Sequence, residues 1–537
     1  MSKQMRTRFS VILATTVLVG VIAGCSKETT TAVDTKQPEA TASASKEPVV
    51  MEWLAYNSFS EPDPDSKVVQ MVSEKFNAKF KFWFVDSQKW NDNLNVKLAA
   101  GEMPDVMQVR SPVGTYVSNG VLAPIPDETI RKFAPNYAKL IDKYNLWNTV
   151  KYEGEIYGLP SLNVNGDYPT VLVWRQDWLT KVGITKTPET IQEFEDALVK
   201  IRNNDPDGNG KKDTYGFSDF ALPAILGAFG SPGLTEVKSA AVQNKENLIY
   251  MEKDGKITFA AIQPEMKEAL TLLSKWYKMD LIDPEMITSE NTGGYGFDSQ
   301  AFYNNRIGLT GKGMFYHWRN VIDPANPEDK GGGQYVNLKK SQPNAEIVLG
   351  KAPVGPKGAS GTPQWGVNST TLGITVKGAK DPRKVETFLK MIEASATDIE
   401  YYKTVFRGWK GEAWKEENGR FINLSASVPA AEFMKKGGQV FNIINVPEFD
   451  KSMDKFNYDF GDKVKPKGYL NMAVPSVESH VKYATNLTKL TVQTYFKIIL
   501  GEASPDIFDD YVKTFKANGG DAIEKEVNEA YKKMLGK

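Results

Sequence analysis

Between Asp205 and Asp213 the chain reads Asp-Pro-Asp-Gly-Asn-Gly-Lys-Lys-Asp, with oxygen-bearing side chains at alternate positions and Gly210 at the turn. Oxygens at this spacing in a tight loop converge on a hard cation, and calcium takes about six to eight of them at roughly 2.3–2.6 Å. Asp205, Asp207, Asn209 and Asp213 offer side-chain oxygens and Lys211 its backbone carbonyl. The twelfth position of the loop is Gly216 where a bidentate glutamate completes an EF-hand, so this is at most half of one. The alternative is a plain Asp/Asn/Gly turn. Other metal or nucleophile chemistry has little material, because the chain holds two histidines, His317 and His480, and one cysteine, Cys25.

Cys25 closes a segment of recognisable composition. Lys3, Arg6 and Arg8 precede an apolar run from Val11 to Ala23 that ends in Ile22-Ala23-Gly24-Cys25. A basic start, an apolar middle and small residues at the end make an export signal. The run is too short to cross a bilayer as a helix, which takes about 20 residues. As the sole cysteine, Cys25 forms no internal disulfide. The pattern resembles a bacterial lipobox, which implies cleavage before Cys25 and a covalent diacylglycerol on its sulfur; the alternative is a buried structural cysteine. Residues 1–24 are therefore expected to be a signal peptide. Residues 25–48 are expected to be the lipidated cysteine and a flexible tether, since 26–48 are rich in Thr, Ser, Ala, Lys and Glu and carry no aromatic residue.

The elements that must position any site begin at Val49. Val49–Ala55, Lys79–Val85 and Asp105–Val109 read as strands, separated by helices carrying Val68, Val69, Val72 and Phe76, then Trp90, Leu94 and Leu98. This β-α-β-α-β order predicts an α/β fold with a doubly wound, mostly parallel sheet, whose ligands sit outside the carboxyl ends of the strands. A second block opens with a strand at Val171–Trp174 and a short helix at Asp177–Val182. Thr187 and Pro188 are the expected N-cap and first residue of a helix with Ile191, Phe194, Leu198 and Ile201 on its apolar stripe. Further helices are expected from Gln263-Pro264, from Asp381-Pro382, from Ser504-Pro505 to Lys516, and from Asp521 to Leu535 beyond a Gly519-Gly520 break.

The order of several segments resembles a known family. Tyr157-Gly158-Leu159-Pro160, then Leu172-Val173-Trp174-Arg175-Gln176-Asp177-Trp178-Leu179, Val182-Gly183-Ile184 and Pro188-Glu189-Thr190 are similar to the hinge crossing and second-lobe entry of family 1 (carbohydrate) extracellular solute-binding proteins. Phe302-Tyr303-Asn304-Asn305-Arg306-Ile307-Gly308-Leu309 resembles the family's return strand to the first lobe, and Ile498–Tyr531 resembles the tail of its long Gram-positive lipoprotein branch. The resemblance implies a two-lobed, type II periplasmic-binding-protein-like fold, each lobe a doubly wound, mostly parallel sheet, joined by crossover hinge segments. On that pattern the first lobe comprises 49–165 plus 307–380 and the second 166–306 plus 381–537. It implies a monomeric, non-enzymatic receptor on the outer face of the cell membrane. Its partners would be an oligosaccharide, drawn in some relatives from acidic polysaccharides, and the permease subunits of an ABC importer. The Asp205–Asp213 loop is similar to one that holds structural calcium in alginate-oligosaccharide binders, and departs from it at Thr214, where they carry a further acid.

Sugars present apolar C–H faces and rings of hydroxyls, which suit aromatic platforms beside planar donors and acceptors. Candidate contacts are Trp53 and Asn57 at the end of the first strand, Trp174 and Arg175 at the second-lobe entry, Trp318 and Arg319 beside His317, Trp365 among glycines, and Trp409 beside Arg407 and Trp414. Arg175, Arg319 or Arg407 would pair the carboxylate of an acidic sugar. Trp178, Trp276, Tyr277, Phe80 and Phe82 fall on stripes that belong to cores. Charge excludes one class of partner: residues 1–24 hold three of the 66 basic and none of the 66 acidic residues, so the remainder is formally −3, which offers nothing to nucleic acid. The enzyme alternative is a secreted glycoside hydrolase, and the third reading is an adhesion or chaperone lipoprotein with no small ligand.

Overall fold

The computed structural model describes residues 47–534 except 87–89, 111, 231, 235–247, 289–296, 327–328, 365, 367, 426–427, 473 and 475–476. Cys25, with the signal and tether expected around it, and Trp365 lie outside the described residues. Val49–Leu54, Ala78–Phe82 and Val106–Val109 form the expected parallel strands, with Val49–Leu54 between the other two. Asn368–Ile374 extends the sheet antiparallel to Val106–Val109, and Leu159–Leu162 pairs antiparallel with it in turn, which makes Leu159–Leu162 parallel to the first three strands. Val106–Val109 is buried at every position, as a central strand covered on both faces must be. One covering layer is the helix Lys67–Phe76, through Val68, Val69 and Val72. Another is the helix Pro382–Thr397, whose Phe388 meets Trp53 edge to face at 6.1 Å. Lys384 of that helix reaches the fully buried Asp105 carboxylate at 2.6 Å, which also accepts from the Glu52 N–H. An apolar stripe and one buried ion pair thus fix the helix on the sheet.

A second sheet holds Ile347–Gly350, Leu172–Arg175, Ile307–Thr310 and Tyr215–Phe217 in that order. Leu172–Arg175 runs against both of its neighbours and only Ile307–Thr310 with Tyr215–Phe217 is parallel, so this sheet is mostly antiparallel where a mostly parallel one was expected. Side chains alternate across it: Leu172 and Trp174 enter one apolar core while Val173 enters another. The first of these cores is closed by the helices Ile191–Asn203, Pro264–Lys278, Glu478–Ile499 and Ile507–Phe515.

Three further expectations are corrected. Ile307–Thr310 lies in the second sheet, and the chain returns to the first at Asn368–Ile374 instead. Residues from Pro382 to Met453 cover the first core, because the Phe388, Leu389 and Ile392 stripe packs beside Trp53 and not beside Trp178. The helix expected from Pro188 starts at Ile191: Thr190 Oγ1 accepts from the Glu193 N–H while the Glu193 carboxylate accepts from the Glu189 and Thr190 N–H groups. This reciprocal capping box outcompetes a proline at the first turn. The terminal helices Ile507–Phe515 and Asp521–Met534 are interrupted as expected, with Gly519 at φ 118°.

Candidate ligand-binding site

The carboxyl ends of the parallel strands lead into Tyr56-Asn57 and Arg110, and Asn368–Ile374 begins at that same end because it runs the other way. Together they frame a cavity of about 440 Å³ lined by Asn57, Gln108, Arg110, Thr149, Asn368 and Thr371 among others. This is where a doubly wound sheet holds its ligands. Tyr56 is buried and donates to the Trp83 carbonyl at 2.8 Å, which pins the turn that presents Asn57. Arg110 lies over the Trp90 ring, its guanidinium carbon 3.7 Å from the ring centre. Its Nε donates to Gln108 Oε1 and its Nη2 to Asn57 Oδ1, both at 2.7 Å. Burial pulls the Arg110 pKa below the ordinary arginine value. Asn368 Oδ1 is buried without a hydrogen-bond partner among the described residues. A guanidinium, amides and hydroxyls converge here, the set that hydroxyl-rich or anionic ligands need.

Two other cavities differ in place or size. A groove of about 500 Å³ runs past Pro124, Trp147 and Glu155. Its neighbour Ala123 bonds the Ile374 carbonyl, and Ile374 pairs with Val106, so this groove adjoins the amino end of the parallel strands. A pocket of about 50 Å³ lies beside Trp409 and Phe433.

Of the residues expected to touch ligand, Asn57 lines the main cavity and Trp409 is half-buried at the small pocket. Trp53, Trp174 and Trp318 are fully buried in cores. Trp53 Nε1 donates to the Val440 carbonyl at 3.0 Å, Trp318 Nε1 to the Lys312 carbonyl at 2.6 Å, and Trp174 packs against Phe194 at 5.0 Å. Trp178 and Trp276 are core residues, as their stripes predict. Two arginines are already paired: Arg175 with Asp177 at 2.9 and 2.7 Å, and Arg319 with Asp329 at 2.6 Å through both Nη atoms. Gln108, Arg110, Thr149 and Asn368 were missed. The sheet rule, applied to the third strand as it was to the first, points straight to Arg110.

In the Asp205–Asp213 loop, Asp205 accepts from the N–H groups of Gly208, Asn209 and Gly210, which hold its carboxyl below the usual range. Burial, with Asp205 and Asp213 nearby, pushes Asp207 up. Asn209 Nδ2 donates to Asp207 at 2.8 Å and to Asp213 at 3.1 Å, and Lys211 N donates to Asn209 Oδ1 at 2.7 Å. Among the described residues no group of three or more His, Cys, Asp or Glu side chains is gathered for a metal. Arg202, at the end of the preceding helix, bonds the Lys212 carbonyl and anchors the loop's far side.

The family model for bacterial extracellular solute-binding proteins matches residues 59–398, and the chain belongs to that family. It is 24% identical over 528 residues to Lipoprotein LipO of Bacillus subtilis (strain 168), covering 95% of this chain and 96% of LipO. It is 22% identical over 540 residues to the polygalacturonan/rhamnogalacturonan-binding protein YtcQ of the same organism, covering 98% and 99%. Among solved structures, the FusA EF-hand mutant of Streptococcus pneumoniae in complex with fructo-nystose superposes with a TM-score of 0.62 at 15% identity, over 91% of this chain and 99% of that one. The fold is accordingly the two-lobed α/β architecture of substrate-binding proteins.

His317 is a structural residue in this frame. Its Nδ1 accepts from the Met314 N–H at 3.0 Å, which requires the neutral ring. Burial, with Lys312 nearby, lowers its pKa to about 4. The unfolded chain takes up a proton as pH falls through about 6.5 while the folded ring does not, so stability present above that pH is lost as pH falls toward 4. His317→Asn keeps an acceptor but nothing that titrates. Its melting temperature is expected to fall less than the wild type's between pH 7 and pH 5; parallel falls would contradict this reading.

Proposed function

We propose that this chain is the extracellular, lipid-anchored receptor of an ABC importer, and that it captures an oligosaccharide between its two lobes and delivers it unchanged to the permease subunits. The observation that carries the reading is the cavity at the carboxyl ends of the first sheet, where Asn57, Gln108, Arg110 and Asn368 converge in a member of the solute-binding family. Sugar hydroxyls both donate and accept, and these amide, guanidinium and hydroxyl groups match them. Capture requires only that the closed state make more ligand contacts than the open one, with the segments between the sheets acting as hinges. Hydrolysis of a glycosidic bond takes a pair of carboxylates flanking it. Membership of the solute-binding family favours capture over cleavage. Diacylglycerol on Cys25 would hold the monomeric body at the outer face of the membrane, in line with the name lipoprotein carried by one relative. The direct test is a thermal-shift screen against neutral and acidic oligosaccharides, with chromatography of each stabilising sugar afterwards. Recovery of the sugar intact is expected; a cleaved product would transfer the protein to the hydrolases.

Calcium fits the Asp205–Asp213 loop by donor chemistry. Asn209 Nδ2 bridges the Asp207 and Asp213 carboxylates while Asp205 accepts from the Gly210 N–H, so hard oxygen donors line one turn without being gathered around a single point. Asp205, Asp207, Asn209 and Asp213 would hold it with the Lys211 carbonyl, once the Asn209 amide turns its oxygen toward the carboxylates. Its role would be to brace the loop after the helix Ile191–Asn203, away from the ligand. Chelation is expected to lower the melting temperature of wild type and to leave Asp207→Asn nearly unchanged; an unaltered wild-type curve after verified metal removal would refute structural calcium.

A further inference from the structure

We infer that Arg110 makes the main cavity a carboxylate-reading subsite, so that the sugar this protein selects is a uronic-acid oligosaccharide. The inference rests on the oligosaccharide reading above and specifies the ligand's charge. Among the described residues, every other arginine except Arg407 lies within 4.0 Å of a carboxylate. Arg407 has Asp450 and Asp454 near enough to feel its charge. Arg110 has no carboxylate within that distance among the described residues, although it is half-buried. A partly desolvated charge is costly when it is not neutralised by an opposite one. Here the cost is maintained by construction: Gln108, Asn57 and the Trp90 face hold the guanidinium in place without cancelling its charge.

The geometry leaves a defined set of donors. One N–H on Nε and one on Nη2 are used, leaving both on Nη1 and the second on Nη2 for a ligand. Adjacent Nη donors form the fork that accepts a carboxylate through both oxygens. A neutral sugar would satisfy these hydrogen bonds and leave the positive charge uncompensated. Asn368 lines the same cavity, and its buried Oδ1 lacks a donor among the described residues, so a turn of the amide would offer it to a ring hydroxyl. A uronic-acid residue carries both groups on one ring. Of the arginines expected from sequence to read a carboxylate, Arg175 and Arg319 already have Asp177 and Asp329 in that role and Arg407 lies over the Phe406 ring with Asp450 and Asp454 near it, whereas Arg110 lines the cavity.

Calorimetry on the full mature chain in detergent, with trimers of galacturonate, glucuronate and mannuronate and the methyl ester of each, tests this. At least one acid trimer is expected to bind about 10- to 100-fold tighter than its ester, the range of one charge-assisted pair. Arg110→Gln is expected to lose that factor, so that acid and ester bind alike and the acid more weakly than to wild type. Arg110→Lys, with charge but no fork, should recover part of it. Acid and ester binding equally to wild type would overturn the inference, as would Arg110→Gln retaining the preference. The wild-type comparison of acid with ester decides the matter even if a variant fails to fold. A neutral oligosaccharide bound tightly while every acid trimer is refused would remove the carboxylate subsite and leave the capture reading standing; refusal of all oligosaccharides would remove both.

Discussion

The arrangement of the lobes depends on one backbone crossing. The segment that leaves the first sheet at Leu162 and the segment that returns to it at Asn368 touch at Gly166 and Gly366, where the Gly366 N–H donates to the Gly166 carbonyl at 3.2 Å. A β-carbon on Gly166 would lie 2.2 Å from the Gly366 oxygen, so the crossing admits no side chain there. Gly366 adopts φ 76°, a conformation that a glycine takes at little cost. Asn445 reinforces the junction through the Ser161 hydroxyl and the Leu162 carbonyl, each at 3.0 Å. Asn368 stands two residues beyond Gly366, so the same crossing that joins the sheets delivers Asn368 to the rim of the cavity.

Charge is distributed in a way that separates scaffold from site. Arg319 with Asp329, Arg306 with Asp283 and Lys384 with Asp105 join a half-buried or buried group to a partner that neutralises it. Breaking such a pair leaves a charge stranded, and in that sense they lock elements together. Arg420, on a hairpin packed against the first core, pairs with Asp323 in the loop after Trp318, adding a contact between the two halves of the molecule. The many exposed Lys–Glu pairs contribute little by comparison. Against that background Arg110 stands apart as a cation oriented by neutral groups.

Much of the first lobe was legible in the chain. The strand pattern from Lys79 and the helical spacing of Val68, Val69 and Val72 are local signals, and each became the element it predicts. The return path was not legible. Ile307–Thr310 and Asn368–Ile374 are both short apolar strands after an excursion, and only tertiary pairing decides which sheet each joins. The site was partly legible for a related reason. Trp53, Trp174 and Trp318 stand beside polar residues in sequence, yet strand alternation turns Trp53 and Trp174 into cores and a turn buries Trp318, while Asn57 is exposed and the distant Arg110 half-buried at the cavity. Aromatic identity is a weak guide to ligand contact when large apolar surfaces are also what cores need most. Strand direction was the stronger signal, because it places the ends of three parallel strands at one edge whatever their side chains.

Hydrogen–deuterium exchange with and without a stabilising oligosaccharide tests the location of the site most directly. Binding at the carboxyl ends of the first sheet predicts slowed exchange in the peptides covering Asn57, Gln108–Arg110 and Asn368–Thr371, with the groove peptides covering Pro124–Arg131 and Gly154–Ile156 unaffected. Protection confined to that groove, with the three strand-end segments unchanged, would contradict the account.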